Sequence, residues 1–251
     1  MLHVPPLPGS PRSELALGEI RDRVLRDAEA LLVGGVHGLM IENFGDTPFF
    51  PCAVPPSTVA QLTSLLGEVK RLTEVPCGVN VLRNDGVAAI AVAAAAGGNF
   101  VRINVLSAAR LTDQGIVQGQ AHEVLRERRR LQASDVQIWA DVDVKHSAPL
   151  AARPLADEVA DLVQRAHADA VIVTGRGTGA ATDLKDLEQV IAAAKGHPVV
   201  VGSGVSPDTI AALRGKAAAV IVGSSLKEAG RAENPVDPQR VKALLAALHS
   251  A

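Results

Sequence analysis

Near the middle of the chain, Trp139-Ala140-Asp141-Val142-Asp143-Val144-Lys145-His146 alternates charged with aliphatic residues. In an extended strand successive side chains point to opposite faces, so Asp141, Asp143 and Lys145 would share one face and Val142 and Val144 the other. Two carboxylates and an amine on one face can move protons or stabilise a charged intermediate. Lys145 reads three ways: a Schiff-base amine, a general acid, or the counter-ion that keeps Asp141 and Asp143 ionised. His146 adds an imidazole that titrates near neutrality, although a lone loop histidine is commonly just a solvent-facing one. Packing this face against helices would be costly without partners, so it is expected to line an open end of the fold.

A second concentration lies towards the C-terminus, where Val199-Val200-Val201-Gly202-Ser203-Gly204 is echoed by Val220-Ile221-Val222-Gly223-Ser224-Ser225. A single glycine after a strand is usually a turn residue. Two in register, in adjacent units, point instead to backbone N–H groups brought close to an anion, with Gly202, Ser203, Gly204, Gly223 and Ser224 as the phosphate-binding set. Ser225 to Gly230 is expected to form the short extra helix that often completes such a site.

Other polar residues fall at the ends of aliphatic runs: Glu42-Asn43, Asn80 with Arg83-Asn84-Asp85, and Arg102 with Asn104. Glu42 joins Asp141, Asp143 and Lys145 as a catalytic candidate. Asn80, Arg102, Asn104 and His146 are substrate-binding candidates, Arg102 reading equally as a structural partner for Glu42 or Asp141. Gly175-Arg176-Gly177-Thr178-Gly179 lacks the acidic follow-up of a dinucleotide fingerprint and reads as a flexible loop through which Arg176 contacts an anion. His3, Glu42, Asp141, Asp143 and His146 hold donors enough for a divalent metal, yet no two histidines have metal-helix spacing; no cofactor is expected, and a metal is left open. Asp113-Gln114-Gly115 and the stretch from Gly45 to Pro56 read as lids or packed surface loops, Phe49-Phe50 also as a subunit contact.

The elements that must position these residues follow from short β-branched and aliphatic runs, each separated from the next by a helix-length segment. They are Gly38–Ile41, Gly78–Leu82, Phe100–Val105, Gln137–Val144, Ala170–Thr174, Val199–Gly202 and Ala219–Gly223, with a short first strand at Leu2-His3-Val4. Asp85 opens an Ala-rich helix that stops at Gly97-Gly98, and Ser206-Pro207-Asp208 and Asp237-Pro238 open two more. Leu155, Val159, Leu162, Val163 and Ala166 form one apolar helix stripe. Repeated strand–helix units over residues 1–251 predict a single (β/α)8 TIM barrel. A doubly wound open sheet is the competitor, and polar residues at nearly every strand end favour the barrel.

Composition agrees. Hydrophobic residues make up 47% of the 251 residues but aromatics only 2%, so the core must be aliphatic, as in parallel sheets buried on both faces. A net charge of -2 gives no basic face for nucleic acid. No apolar run approaches the roughly 20 residues of a transmembrane helix. The N-terminal sequence has no secretory signal pattern, and Cys52 and Cys77 have no metal or redox spacing, so a reducing cytoplasm is expected, with Cys77 a structural thiol. No G-x-x-x-x-G-K-[ST] loop occurs.

His3-Val4-Pro5-Pro6-Leu7-Pro8-Gly9-Ser10, Glu42-Asn43-Phe44-Gly45-Asp46, Val79-Asn80-Val81-Leu82-Arg83-Asn84-Asp85, Arg102-Ile103-Asn104-Val105, Thr112-Asp113-Gln114-Gly115 and Ala140 to His146 together resemble the BtpA/SgcQ family over essentially the whole chain. The resemblance implies a TIM-type barrel akin to phosphate-binding barrels. It also implies a role either in photosystem I biogenesis, as in cyanobacterial members, or alongside sugar-uptake and sugar-phosphate genes. The expected function is therefore an enzyme acting on a small phosphorylated metabolite such as a sugar phosphate, by isomerase, epimerase or aldolase/lyase chemistry. The alternative is a photosystem I assembly or stability factor acting by protein contact around Phe49-Phe50. A homo-oligomer is compatible with either.

Overall fold

A computed structural model describes residues 1–175 and 182–249. In chain order its strands are β1 (Leu2–His3), β2 (Leu39–Glu42), β3 (Cys77–Asn80), β4 (Phe100–Ile103), β5 (Ala109–Thr112), β6 (Gly115–Gln118), β7 (Gln137–Val142), β8 (Ser147–Pro149), β9 (Ala170–Val173), β10 (Val199–Val201) and β11 (Ala219–Val220). The helices are α1 (Leu17–Val33), α2 (Pro56–Arg71), α3 (Gly86–Ala96), α4 (Ala121–Arg130), α5 (Leu155–Ala160), α6 (Leu184–Ala194), α7 (Pro207–Ile210) and α8 (Pro238–His249).

Eight strands form one parallel sheet in the order β1-β2-β3-β4-β7-β9-β10-β11. The sheet curls into a (β/α)8 barrel, and the Met1 nitrogen donates to the Val222 carbonyl at 2.9 Å, bringing the first strand beside the end of the last. Each strand expected from sequence is present.

Period-two alternation sorts the strand residues into two cores. One set packs the outer helices onto the sheet, including Ile41, Val79, Val101, Ile138 and Val171. The other fills the barrel interior with Met40, Phe100, Ala170, Ile172, Val200 and Ile221. The Phe100 ring stacks on Trp139 with centroids 4.2 Å apart. Gly78 makes room for it, because a Cβ there would lie 2.4 Å from Phe100 Cε2.

Local signals hold where the chemistry is simple. The Asp85 carboxylate accepts from Ala88 N at 2.9 Å and caps α3, which stops at Gly97 with φ 74°. Asp237 Oδ1 accepts from Gln239 N at 2.8 Å at the start of α8. The helix opened by Ser206 is one turn, α7, continued by a tighter turn at Ala211–Leu213. Cys77 is buried at the head of β3, the structural position expected for it.

Three departures matter for the site. The fifth barrel strand, expected over Gln137–Val144, ends at Val142, because Asp143 takes φ 49° and His146 φ 57° and the chain turns. After that turn β8 pairs with β5, and β5 with β6, in a separate antiparallel sheet. Asp113-Gln114, a lid candidate, is thus the tip of a hairpin. Gly45 to Pro56 is a pinned loop: Asp46 Oδ1 accepts from Leu7 N at 2.8 Å and Val54 N donates to Asp85 Oδ2 at 2.8 Å. Ser225 to Gly230 is not a regular helix but two tight turns, Ser224–Leu226 and Glu228–Gly230, interrupted by Ala229 at φ 53°.

Candidate active site at the barrel mouth

Strand register builds the floor of the mouth. His3 pairs with Glu42, Glu42 with Asn80 and Asn80 with Arg102, so four polar side chains stand at one level on the interior face of four neighbouring strands. Asn80 Nδ2 donates to Glu42 Oε2 at 2.7 Å, orienting that carboxylate. His3 Nε2 lies 3.9 Å from Glu42 Oε1.

Beside them, Arg102 holds Asp141 through two bonds, Nε to Oδ2 at 3.1 Å and Nη2 to Oδ1 at 3.0 Å, and Asn104 Nδ2 donates to Asp141 Oδ2 at 2.6 Å. Asp141 thus accepts three hydrogen bonds, and its side chain is wholly buried. Burial works against the Arg102 charge, but Asp141 and Glu42 more than offset it and keep the guanidinium protonated. Arg102 Nη1 has no partner among the described residues.

Asp143 does not share a face with Asp141. The left-handed turn swings it outward, where it is exposed and paired with Arg110, which also donates to Glu158 at 3.2 Å. His146 is likewise exposed on that turn. Lys145 remains at the mouth, and among the described residues its Nζ has no hydrogen-bond or ion-pair partner. Burial, opposed by Glu42, lowers its pKa from the ordinary lysine value. Of the three readings of Lys145, the counter-ion to Asp141 and Asp143 is the one the contacts do not support.

A cavity of about 570 Å³ opens over this floor, its wall including Glu42, Arg102 and Lys145 on one side and Gly202, Gly204 and Ser224 on the other. Its size suits a small metabolite. Among the described residues the N–H groups of Gly204, Gly223 and Ser224 have no acceptor. A Cβ at Gly202 would meet Ile172 Cγ2 at 2.5 Å, so glycine is required by the packing of the neighbouring strand, and Arg102 Nη2 lies 3.5 Å from the same point. Ser203 Oγ accepts from Gly175 N at 2.8 Å, tying two strand ends together. Arg176 lies outside the described residues.

Sequence reasoning set His3 aside as a possible metal donor. It lines the same cavity, with the Phe44 ring tilted against it at a centroid distance of 4.5 Å and Gly223 close to its Cε1 and Nε2 atoms. Burial pushes its pKa down to about 3. The signal was its position one strand over from Glu42. Among the described residues no cluster of three or more His, Cys, Asp or Glu side chains is placed to hold a metal ion.

The family model described as the BtpA family matches residues 1–250. The chain is 44% identical over 248 residues to the photosystem I biogenesis protein BtpA of Synechocystis sp., covering 99% of this chain and 86% of that one. It is 41% identical to an uncharacterized protein of Thermococcus kodakarensis, covering 98% and 92%, and 31% identical to an uncharacterized mitochondrial protein of Caenorhabditis elegans, covering 96% and 88%. In fold it is similar to a phosphoribosyl anthranilate isomerase from Thermus thermophilus, with TM-score 0.56, 15% identity and coverage of 90% and 94%. A structure titled native KDPGal is similar at TM-score 0.59, 16% identity and coverage of 92% and 90%. No helix among the described residues is long and apolar enough to cross a membrane.

Proposed function

The chain belongs to the BtpA family, and from that premise we propose that it is an enzyme acting on a small phosphorylated metabolite, a sugar phosphate being the best fit. One observation carries this reading. One cavity joins glycine loops whose N–H groups lack acceptors among the described residues to a lysine unpartnered among them, a buried arginine and an oriented glutamate. Gly204, Gly223 and Ser224 hold the phosphate through backbone N–H groups. Lys145 and Arg102 stabilise negative charge developing on the reacting oxygen, as cationic groups do best where water is excluded. Asp141 fixes Arg102, and Asn80 fixes Glu42. Isomerase, epimerase and aldolase/lyase reactions all pass through intermediates this arrangement stabilises. A cytoplasmic location belongs to the same proposal.

Thermal denaturation against inorganic phosphate and a panel of sugar phosphates tests it. A ligand present at 100 times its dissociation constant adds about 2.7 kcal/mol of stability. Stabilisation by a phosphorylated compound, lost in Ser224→Asp, is expected; no stabilisation by any of them contradicts the proposal.

A second reading, a photosystem I assembly factor acting by protein contact, draws on the name of the Synechocystis relative and on Phe50, which is 55% exposed. It requires Phe50→Ala to abolish the cellular phenotype while Lys145→Met leaves it intact.

A further inference from the structure

His3 is held from three sides. The Phe44 ring packs tilted against it with centroids 4.5 Å apart, Gly223 stands so near that a Cβ there would lie 3.2 Å from Nε2, and Nδ1 lies 3.1 Å from the Ala232 carbonyl. A carbonyl oxygen only accepts, so Nδ1 carries the hydrogen and Nε2 of the neutral ring presents a lone pair. Across 3.9 Å that lone pair faces Glu42 Oε1, another acceptor, whose companion oxygen is occupied by Asn80. Two acceptors thus face each other at the wall of the cavity.

We propose that His3 Nε2 is the base that removes a proton from the carbon next to a carbonyl of the bound phosphorylated compound, with Glu42 stabilising the imidazolium that results. This rests on the phosphate-site reading above. In the step the C–H bond breaks and its electron pair becomes the carbon–carbon double bond of an enediolate. The carbonyl π pair moves onto oxygen beside Lys145 and Arg102, and the proton moves to Nε2. Return of the proton from Nε2 to the former carbonyl carbon, with the hydroxyl proton of the adjacent carbon passing to the former carbonyl oxygen, regenerates neutral His3 and completes an aldose–ketose isomerisation with no added reactant. Because Nδ1 is committed to Ala232, the ring cannot turn away from the cavity without losing that bond, and the base stays aimed.

Exchange of carbon-bound hydrogen for solvent deuterium, followed by proton NMR, tests the assignment. Ketose and aldose phosphates of three to six carbons are offered to the wild-type protein, His3→Gln and His3→Asn, and inorganic phosphate is titrated into each. The expected result is exchange next to the carbonyl of at least one compound, slowed roughly 100-fold or more in both variants, with inorganic phosphate still bound. Exchange at the wild-type rate in the variants overturns the proposal, as does no exchange in any compound the wild-type protein binds. Nitrogen-15 spectra of the wild-type protein decide without any variant: a hydrogen on Nε2 rather than Nδ1 overturns it. Failure of the wild-type protein to bind inorganic phosphate or any sugar phosphate removes the phosphate reading itself, and this proposal with it.

Discussion

Arg102 and Asp141 lie side by side at the barrel mouth, joined by two hydrogen bonds of 3.1 and 3.0 Å, with side chains 3% and 0% exposed. A carboxylate so enclosed acts through its partner: it holds Arg102 near the Gly202 loop at the wall of the cavity. Removing one member of a buried pair strands the other charge, which costs about 3–5 kcal/mol. Asp141→Ala should therefore lower the unfolding free energy in urea by that amount. A loss below about 1 kcal/mol would show that the pair is not what fixes Arg102.

His3 carries a pH signature in stability. Its folded pKa, about 3, lies below the ordinary 6.5, so between these values the unfolded chain binds a proton that the folded one does not. Its contribution is fully present above pH 6.5 and is lost as pH falls towards 3, with a slope of at most about 1.4 kcal/mol per pH unit. Urea titrations from pH 7 to pH 4 should show a steeper loss for the wild-type protein than for His3→Gln. Parallel curves would mean that the imidazole is not buried uncharged.

Lys145 should react early. Burial lowers its pKa, and its Nζ has no partner among the described residues, so more of it is neutral amine at a given pH than for a surface lysine. Amine-reactive labelling at neutral pH, read by peptide mass spectrometry, should modify Lys145 ahead of Lys195 and Lys242 and be slowed by inorganic phosphate. Labelling no faster than at those exposed lysines would contradict an unpartnered amine.

Gly78 is a packing position within the barrel. Its missing Cβ leaves space for a Phe100 ring that is itself stacked on Trp139. Gly78→Ala should destabilise the protein by about 1–3 kcal/mol, as overpacking does in a filled core, and thermal unfolding would record it. An unchanged midpoint would mean that the interior repacks freely.

The barrel was legible because its signal repeats. Aliphatic runs such as Val199-Val200-Val201 and caps such as Asp85 and Asp237 depend on neighbours in sequence, and local chemistry decides them. The site was half legible for the same reason. Glu42, Asn80 and Arg102 were found as polar ends of apolar strands, and the glycine loops by their repetition. Asp143 went astray because alternation says nothing about where a strand stops: one residue at φ 49° turned it from the interior to Arg110, a partner supplied by a hairpin that reads as a loop. His3 reads from sequence only as a metal donor because Leu2-His3-Val4 is a short strand, and its setting depends on a cross-strand neighbour far along the chain. Lys227, buried and paired with Asp27 of α1, had no local signal at all.

Calorimetric titration of inorganic phosphate into the wild-type protein and into Ser224→Asp tests the phosphate site most directly. A site built from the N–H groups of Gly204, Gly223 and Ser224 predicts saturable binding of one phosphate per chain in the wild-type protein and its loss in the variant, with the fold unchanged by circular dichroism. Absence of binding by the wild-type protein, or equal binding by both, would contradict it.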